Sequence, residues 1–328
     1  MMKFKKLFCL FTFLGLLQLS TVAQSRFFTF SRYSTDNGMT GNKVFCTYQD
    51  AKGFIWIGGS DGLMRFDGTK FMIYADRKGE MPSSSVSAII PLSSTEFILS
   101  FPELKETGIF NVANLSYTKI RAVAPQQMLP RSTMYVSKNG PGIFMLFSNS
   151  PHILKFDTAK KIFSPYQPFT LPSGWNVTSM YYDEVDKNYW FSCDSGLAVY
   201  SVTEMKMFSR NNNPHNWGIL TESKINDGNW TLFIDSKRRH WILNWPSYSR
   251  GTEQLYCYDA ANNQFLNDTA GWRNSIKAYR EIRYFTETKD GVIWAYGTNG
   301  LLSRIPETGN FENNKDDHTD NFGIKYET

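Results

Sequence analysis

The residues that most often carry chemistry are scattered in this chain. His152, His215, His240 and His318 stand apart from one another and from every cysteine, so no metal-ligand spacing forms. Asp316, Asp317 and Asp320 cluster without the ligand pattern of a calcium loop and read as a solvated turn. The glycines from Gly58 to Gly62 lack the lysine and spacing of a phosphate cradle. No Gly-x-Ser-x-Gly elbow marks a nucleophilic serine. A pair of carboxylates for glycoside hydrolysis needs no sequence signature, so that chemistry stays open. No metal and no cofactor is expected.

Tryptophan is the informative residue type. Of nine, Trp56, Trp190, Trp241 and Trp294 recur at one place in a repeat, and five do not: Trp175, Trp217, Trp230, Trp245 and Trp272. Trp230 begins a strand and defaults to core. Trp175, Trp217 and Trp272 fall in connections between successive units, and Trp245 falls in a loop within one. In an antiparallel unit those two kinds of loop open on the same face. An indole offers an apolar face to a sugar ring, and Tyr248, Arg250 and His215 could supply hydrogen bonds to hydroxyls. The candidate ligand contacts are therefore Trp175, Trp217, Trp245, Trp272, Tyr248, Arg250 and His215. The competing reading is that the four indoles pack long loops onto the fold, since exposed Trp clusters are costly.

The elements that would position these residues follow from internal repetition. Trp56 to Leu63, Trp190 to Leu197 and Trp294 to Leu301 each place Gly-Leu six residues after Trp, at Gly62, Gly196 and Gly300. With worn copies between them, the period is roughly 40–50 residues, the mark of an array of small sheets. The first unit reads Val44–Tyr48, Phe54–Ile57, Leu63–Phe66 and Phe71–Tyr74, alternating strands joined by Asp/Gly turns. Units around Trp190, Trp241 and Trp294 repeat the order, while two units, marked by Phe97 to Phe110 and by Ile143 to Phe156, keep strands and lose the Trp. Such a unit is stable only when stacked, so a flat Trp belongs in the layer between units. Glycine before Leu permits a positive φ, and Asp at the first turn caps its own backbone. The expected fold is all-β: a β-propeller of about six four-stranded antiparallel blades, part of a seven-bladed ring. Phe27–Phe30 looks like a lone fourth strand that closes the last blade, and 323–328 like the start of a seventh unit, so the chain is expected to be an incomplete piece.

Residues 1–23 read as a signal peptide, with Lys3, Lys5 and Lys6, an apolar run too short for a comfortable membrane span, and small residues before Gln24. The propeller is then assigned to 24–328, and the chain to the periplasm. Three of the net +5 charges are leader lysines, leaving +2, which gives no argument for nucleic acid. Cys46, Cys193 and Cys257 remain at unrelated spacings and are expected as free thiols.

The first unit also carries a family signal. Tyr33-Ser-Thr-Asp-Asn-Gly38, Gln49-Asp50-Ala-Lys-Gly53-Phe-Ile-Trp56-Ile-Gly58 and Asp61-Gly62-Leu63-Met-Arg65-Phe66-Asp67-Gly68 resemble the two-component regulator propeller repeat. That resemblance implies the periplasmic sensor region of a membrane histidine kinase, hybrid kinases controlling glycan use included. It also implies a longer parent with an immunoglobulin-like module, a transmembrane helix and a kinase core. The chain itself is then a non-enzymatic input portion, its partners an oligosaccharide or other small ligand, those downstream modules, and a second copy in a homodimer. Two alternatives stand beside it: a secreted propeller glycosidase or lyase, and a structural transmitter module.

Overall fold

In a computed structural model of the chain, residues 31–74, 81–123, 132–245, 254–266, 282–297, 302–305 and 312–313 are described. The signal peptide, Phe27–Phe30, Gly300 and 323–328 lie outside them. Met1–Arg32 forms one unit, and Tyr33–Thr328, the subject below, a second. Within Tyr33–Thr328 six antiparallel sheets follow one another, each built from consecutive strands. Blade one comprises Val44–Gln49, Ile55–Gly59, Gly62–Phe66 and Phe71–Tyr74. Blade four comprises Val177–Asp183, Asn188–Cys193, Gly196–Ser201 and Lys206–Ser209. Blade five comprises Asn229–Ile234, Arg239–Asn244, Gln254–Asp259 and Gln264–Phe265. Blade six begins with Ile282–Glu287 and Ile293–Gly297. First strands of successive blades lie side by side. The fold is a β-propeller.

Five apolar layers hold consecutive blades together. Trp56 and Leu63 meet Phe97 and Phe110 of blade two. Ile98 and Ile109 meet Val136 and Met145 of blade three. Phe144 and Leu146 meet Phe191 and Ala198 of blade four. Trp190 and Leu197 meet Leu232 and Ile242 of blade five, and Trp241 and Leu243 meet Phe285 and Ala295 of blade six. Ile98 and Phe144, both fully buried, occupy the Trp place in the two worn units, so a smaller apolar residue fills the same layer. Blade three departs from four strands: Arg121–Ala122, on the way from blade two, pairs in parallel with Ile162–Phe163 and covers that edge.

The repeated Asp does more than cap a turn. Asp50 accepts from the Lys52 and Phe54 amides and also from Trp56 Nε1 at 2.9 Å. Asp235 likewise accepts from the Arg239 amide and from Trp241 Nε1 at 3.0 Å. One carboxylate thereby ties the turn to the inter-blade indole. The Gly-Leu motif has its own cause at Gly196, where φ is +138° and a Cβ would sit 2.8 Å from the Trp175 ring.

Candidate functional site

A repeated irregularity sits at the inner edge of the ring. The first strands of blades one, four, five and six each slip register at their second residue, leaving Phe45, Thr178, Trp230 and Arg283 outside the ladder. Blades two and three pair there without a slip. A bulge re-aims the side chain that it frees. Phe45, Thr178 and Trp230 line a cavity of about 780 Å³ bounded by the first strands of the blades, together with Tyr135, Tyr284 and Tyr296. Trp230 was expected in the core; it is 38% exposed, because the bulge turns it into this channel.

Arg283 joins the collar from blade six. Its guanidinium lies 5.6 Å from the Trp230 ring and 5.4 Å from the Trp245 ring, between two indoles of blade five. Tyr284 and Tyr296 rings lie 5.6 Å apart. Burial raises the Tyr135 hydroxyl above its ordinary range, with Tyr284 and Arg283 close enough to act on it electrostatically. Tyr296 is also raised, by burial and then by Tyr284. These phenols stay protonated and able to donate. Trp245 Nε1 is buried without a hydrogen-bond partner.

The candidate contacts read from sequence do not gather in one cluster. Trp245 lies against Arg283, outside the residues that line the channel. Trp175 is 5% exposed, packed in the layer between blades three and four with Arg210 5.3 Å from its ring, which leaves it no open face for a sugar. Trp217 stacks on His215 at 4.8 Å, with Trp190 and Phe208 at 6.0 and 5.7 Å. The connection that carries it folds back along blade four, held by Asn213, whose amide bonds both the N–H and the carbonyl of Trp217 at 3.0 Å. Trp217 thus lines a cleft with Asp186, Asn188 and Asn263, at the opposite end of the blades from Trp245. Trp272, Tyr248 and Arg250 lie outside the described residues.

That cleft, about 410 Å³ between blades four and five, has polar walls. Arg238 of blade five grips Asp183 of blade four through two hydrogen bonds of 2.7 and 2.5 Å, and Asp186 is its second partner. Burial pushes the Asp183 carboxyl up, but Arg238 more than offsets this and holds it below the usual range. His240, 3% exposed, has no hydrogen-bond partner at either nitrogen. Burial lowers it to about 4 and the Arg238 charge adds to the shift, while Asp183, the Arg238 backbone and Asp235 oppose it. Its imidazole is neutral.

Among the described residues no group of three or more His, Cys, Asp or Glu could hold a metal, and no helix is long and apolar enough to cross a membrane. Cys46, Cys193 and Cys257 are unpaired thiols in three different blades.

Comparison with known proteins accords with this architecture. Residues 38–61 match the family model of the two component regulator propeller, so blade one carries that repeat. A stretch of 78 residues, 24% of this chain and 5% of the relative, is 37% identical to histidine kinase P4 of Formosa agariphila. An extracellular domain from B. thetaiotaomicron, described as that of a hybrid two component system, superposes with a TM-score of 0.60 at 18% identity, over 86% of this chain and 36% of that one. Virginiamycin B lyase from Staphylococcus aureus superposes with a TM-score of 0.53 at 12% identity, over 82% of this chain and 83% of the lyase. At such identities the structural likenesses establish the propeller alone. The chain spans about a third of the extracellular domain and a small part of the kinase.

Proposed function

We propose that this chain is a ligand-sensing input portion of a two-component regulator, working in the periplasm once residues 1–23 are removed. In this reading it binds and does not catalyse, and its signal passes to transmembrane and histidine kinase modules of a longer protein that acts as a dimer. The observation that carries the reading is the ring of bulged side chains. Four blades spend a ladder position there: Phe45, Thr178 and Trp230 line one channel, and Arg283 lies against Trp230. The slip at Thr178 also serves packing, since its hydroxyl donates to Asn229 O of blade five, whereas those at Phe45 and Trp230 turn rings into the channel, as a binding mouth requires.

The ligand class that suits the mouth is an oligosaccharide. Flat indole and phenol rings match the C–H faces of sugars, and protonated tyrosines with Arg283 would direct hydroxyls. Trp272, Tyr248 and Arg250 are further contacts in this proposal. Calorimetry against an oligosaccharide panel tests it, followed by Trp230→Ala and Trp245→Ala in a binder. Loss of affinity of roughly tenfold or more in both variants is expected. A binder untouched by either substitution would remove the channel from the reading. If no glycan binds, the structural-transmitter alternative takes its place.

A further inference from the structure

Blade four breaks the rule that blades one and five keep. In those blades the turn Asp accepts from the inter-blade indole six residues on. In blade four the turn is one residue longer, Asp183 is gripped by Arg238, and Trp190 Nε1 has no partner. His240 lies against that indole, ring centroids 5.0 Å apart, with both of its nitrogens unpaired. An unsatisfied buried polar group is destabilising, and native folds seldom leave two such residues side by side. Both rings form part of the wall of the cleft between blades four and five.

We propose that this cleft is a second binding site, separate from the channel, for a neutral polyhydroxy compound of monosaccharide size. The donor and acceptor inventory selects the class. Trp190 Nε1 can only donate, so its partner must accept. A neutral imidazole must donate at one nitrogen and accept at the other. A hydroxyl group meets both demands. A carboxylate or a fully ionised phosphate group cannot donate to the accepting nitrogen, and a cation cannot accept from Trp190. Asp183 and Asp186 around the single Arg238 leave the local charge negative, which further disfavours anions. The stacked Trp217–His215 pair, part-exposed, supplies the flat apolar wall on which a sugar or cyclitol ring would lie. A volume of about 410 Å³ admits one such ring and excludes a long chain from full burial. Both nitrogen-bearing rings are sealed from bulk water, so binding requires a small outward movement of the wall.

Saturation-transfer NMR on the whole chain tests the site, with D-glucose and myo-inositol as neutral probes and gluconate as the anionic counterpart. Both neutral probes should give signal and gluconate should not. Trp217→Ala and His240→Phe should each weaken binding by roughly tenfold or more, and should do so equally in a Trp230→Ala background that removes any contribution of the channel. If Trp217→Ala does not fold, His240→Phe, which keeps a planar ring, carries the comparison. No signal from either neutral probe, equal binding of gluconate, or loss on Trp230→Ala alone would overturn the proposal. So would a crystal soaked in glucose in which only an ordered water meets Trp190 and His240.

Discussion

Acidification should destabilise this propeller through one residue, His240. In the folded chain its imidazole sits unpaired in the layer between blades four and five and titrates at about 4, against 6.5 when solvated. Above 6.5 neither folded nor unfolded chain carries a proton there, and the residue contributes nothing to the pH dependence. Between 6.5 and about 4 the unfolded chain binds a proton that the folded one refuses, so stability falls as pH falls. Below about 4 both states are protonated and the penalty is constant. At about 1.36 kcal/mol per pH unit the gap comes to about 3 kcal/mol, a large part of the margin of a typical domain. Arg238, Asp183 and Asp235 are the charged groups that act on the ring. Urea unfolding of the parent chain and of His240→Phe, from neutral pH to about 4, isolates the effect. Titrations shared by both chains cancel, and the difference in unfolding free energy should grow by about 3 kcal/mol toward acid. A flat difference would show that His240 is solvated or partnered, and the account of blade four given above would fail with it.

Other outcomes follow from the same packing. Trp241→Ala should cost about 3–5 kcal/mol, since a fully buried indole leaves a cavity between blades five and six; chemical denaturation measures it. Trp241→Phe should cost about 1–3 kcal/mol more than Trp190→Phe, because only Trp241 gives up a hydrogen bond to a charged group, the buried Asp235 carboxylate, which is left with Arg239. Arg238→Met should cost about 3 kcal/mol at neutral pH, the low end for a buried pair since Arg238 is itself 27% exposed, and the loss should shrink in acid as Asp183 protonates. Gly196→Ala should lower the melting temperature by several degrees, both for its φ of +138° and for the contact with Trp175.

The parts of this fold legible in the sequence are those that depend on local spacing. Trp at one offset from Gly-Leu, Asp at the first turn and strand alternation are short-range requirements; the blades around Trp56 and Trp190 meet all three, and the blade around Trp241 keeps the Asp and the strands without the Gly-Leu. The link from Asp50 to Trp56 and from Asp235 to Trp241 was also there to be read, as a shared offset of six residues. The offset of seven from Asp183 to Trp190 was the visible sign that blade four differs. Bulges were not legible, because period-two reasoning assigns every strand residue a face, and Trp230 was counted as core on that ground. Nor did the sequence show that the connection before Trp217 folds back past its own blade. That path depends on Asn213 clasping the Trp217 backbone, and the opposite placement of Trp217 and Trp245 depends on that path.

The slipped residues Phe45, Thr178, Trp230 and Arg283 have a consequence for how such a protein can change. A residue outside the ladder belongs to no register pair, so exchanging Phe45 or Trp230 leaves the sheet register as it was, whereas Thr178 is tied in by its hydroxyl, which donates to Ser192 O and to Asn229 O of blade five. The present occupants are an aromatic hydrocarbon, a hydroxyl, an indole and a guanidinium, four chemistries at one backbone position. Selection acting on what the channel accepts can therefore proceed one blade at a time at Phe45 and Trp230, with the register of the ladder kept, while a change at Thr178 also alters how blade four holds blade five.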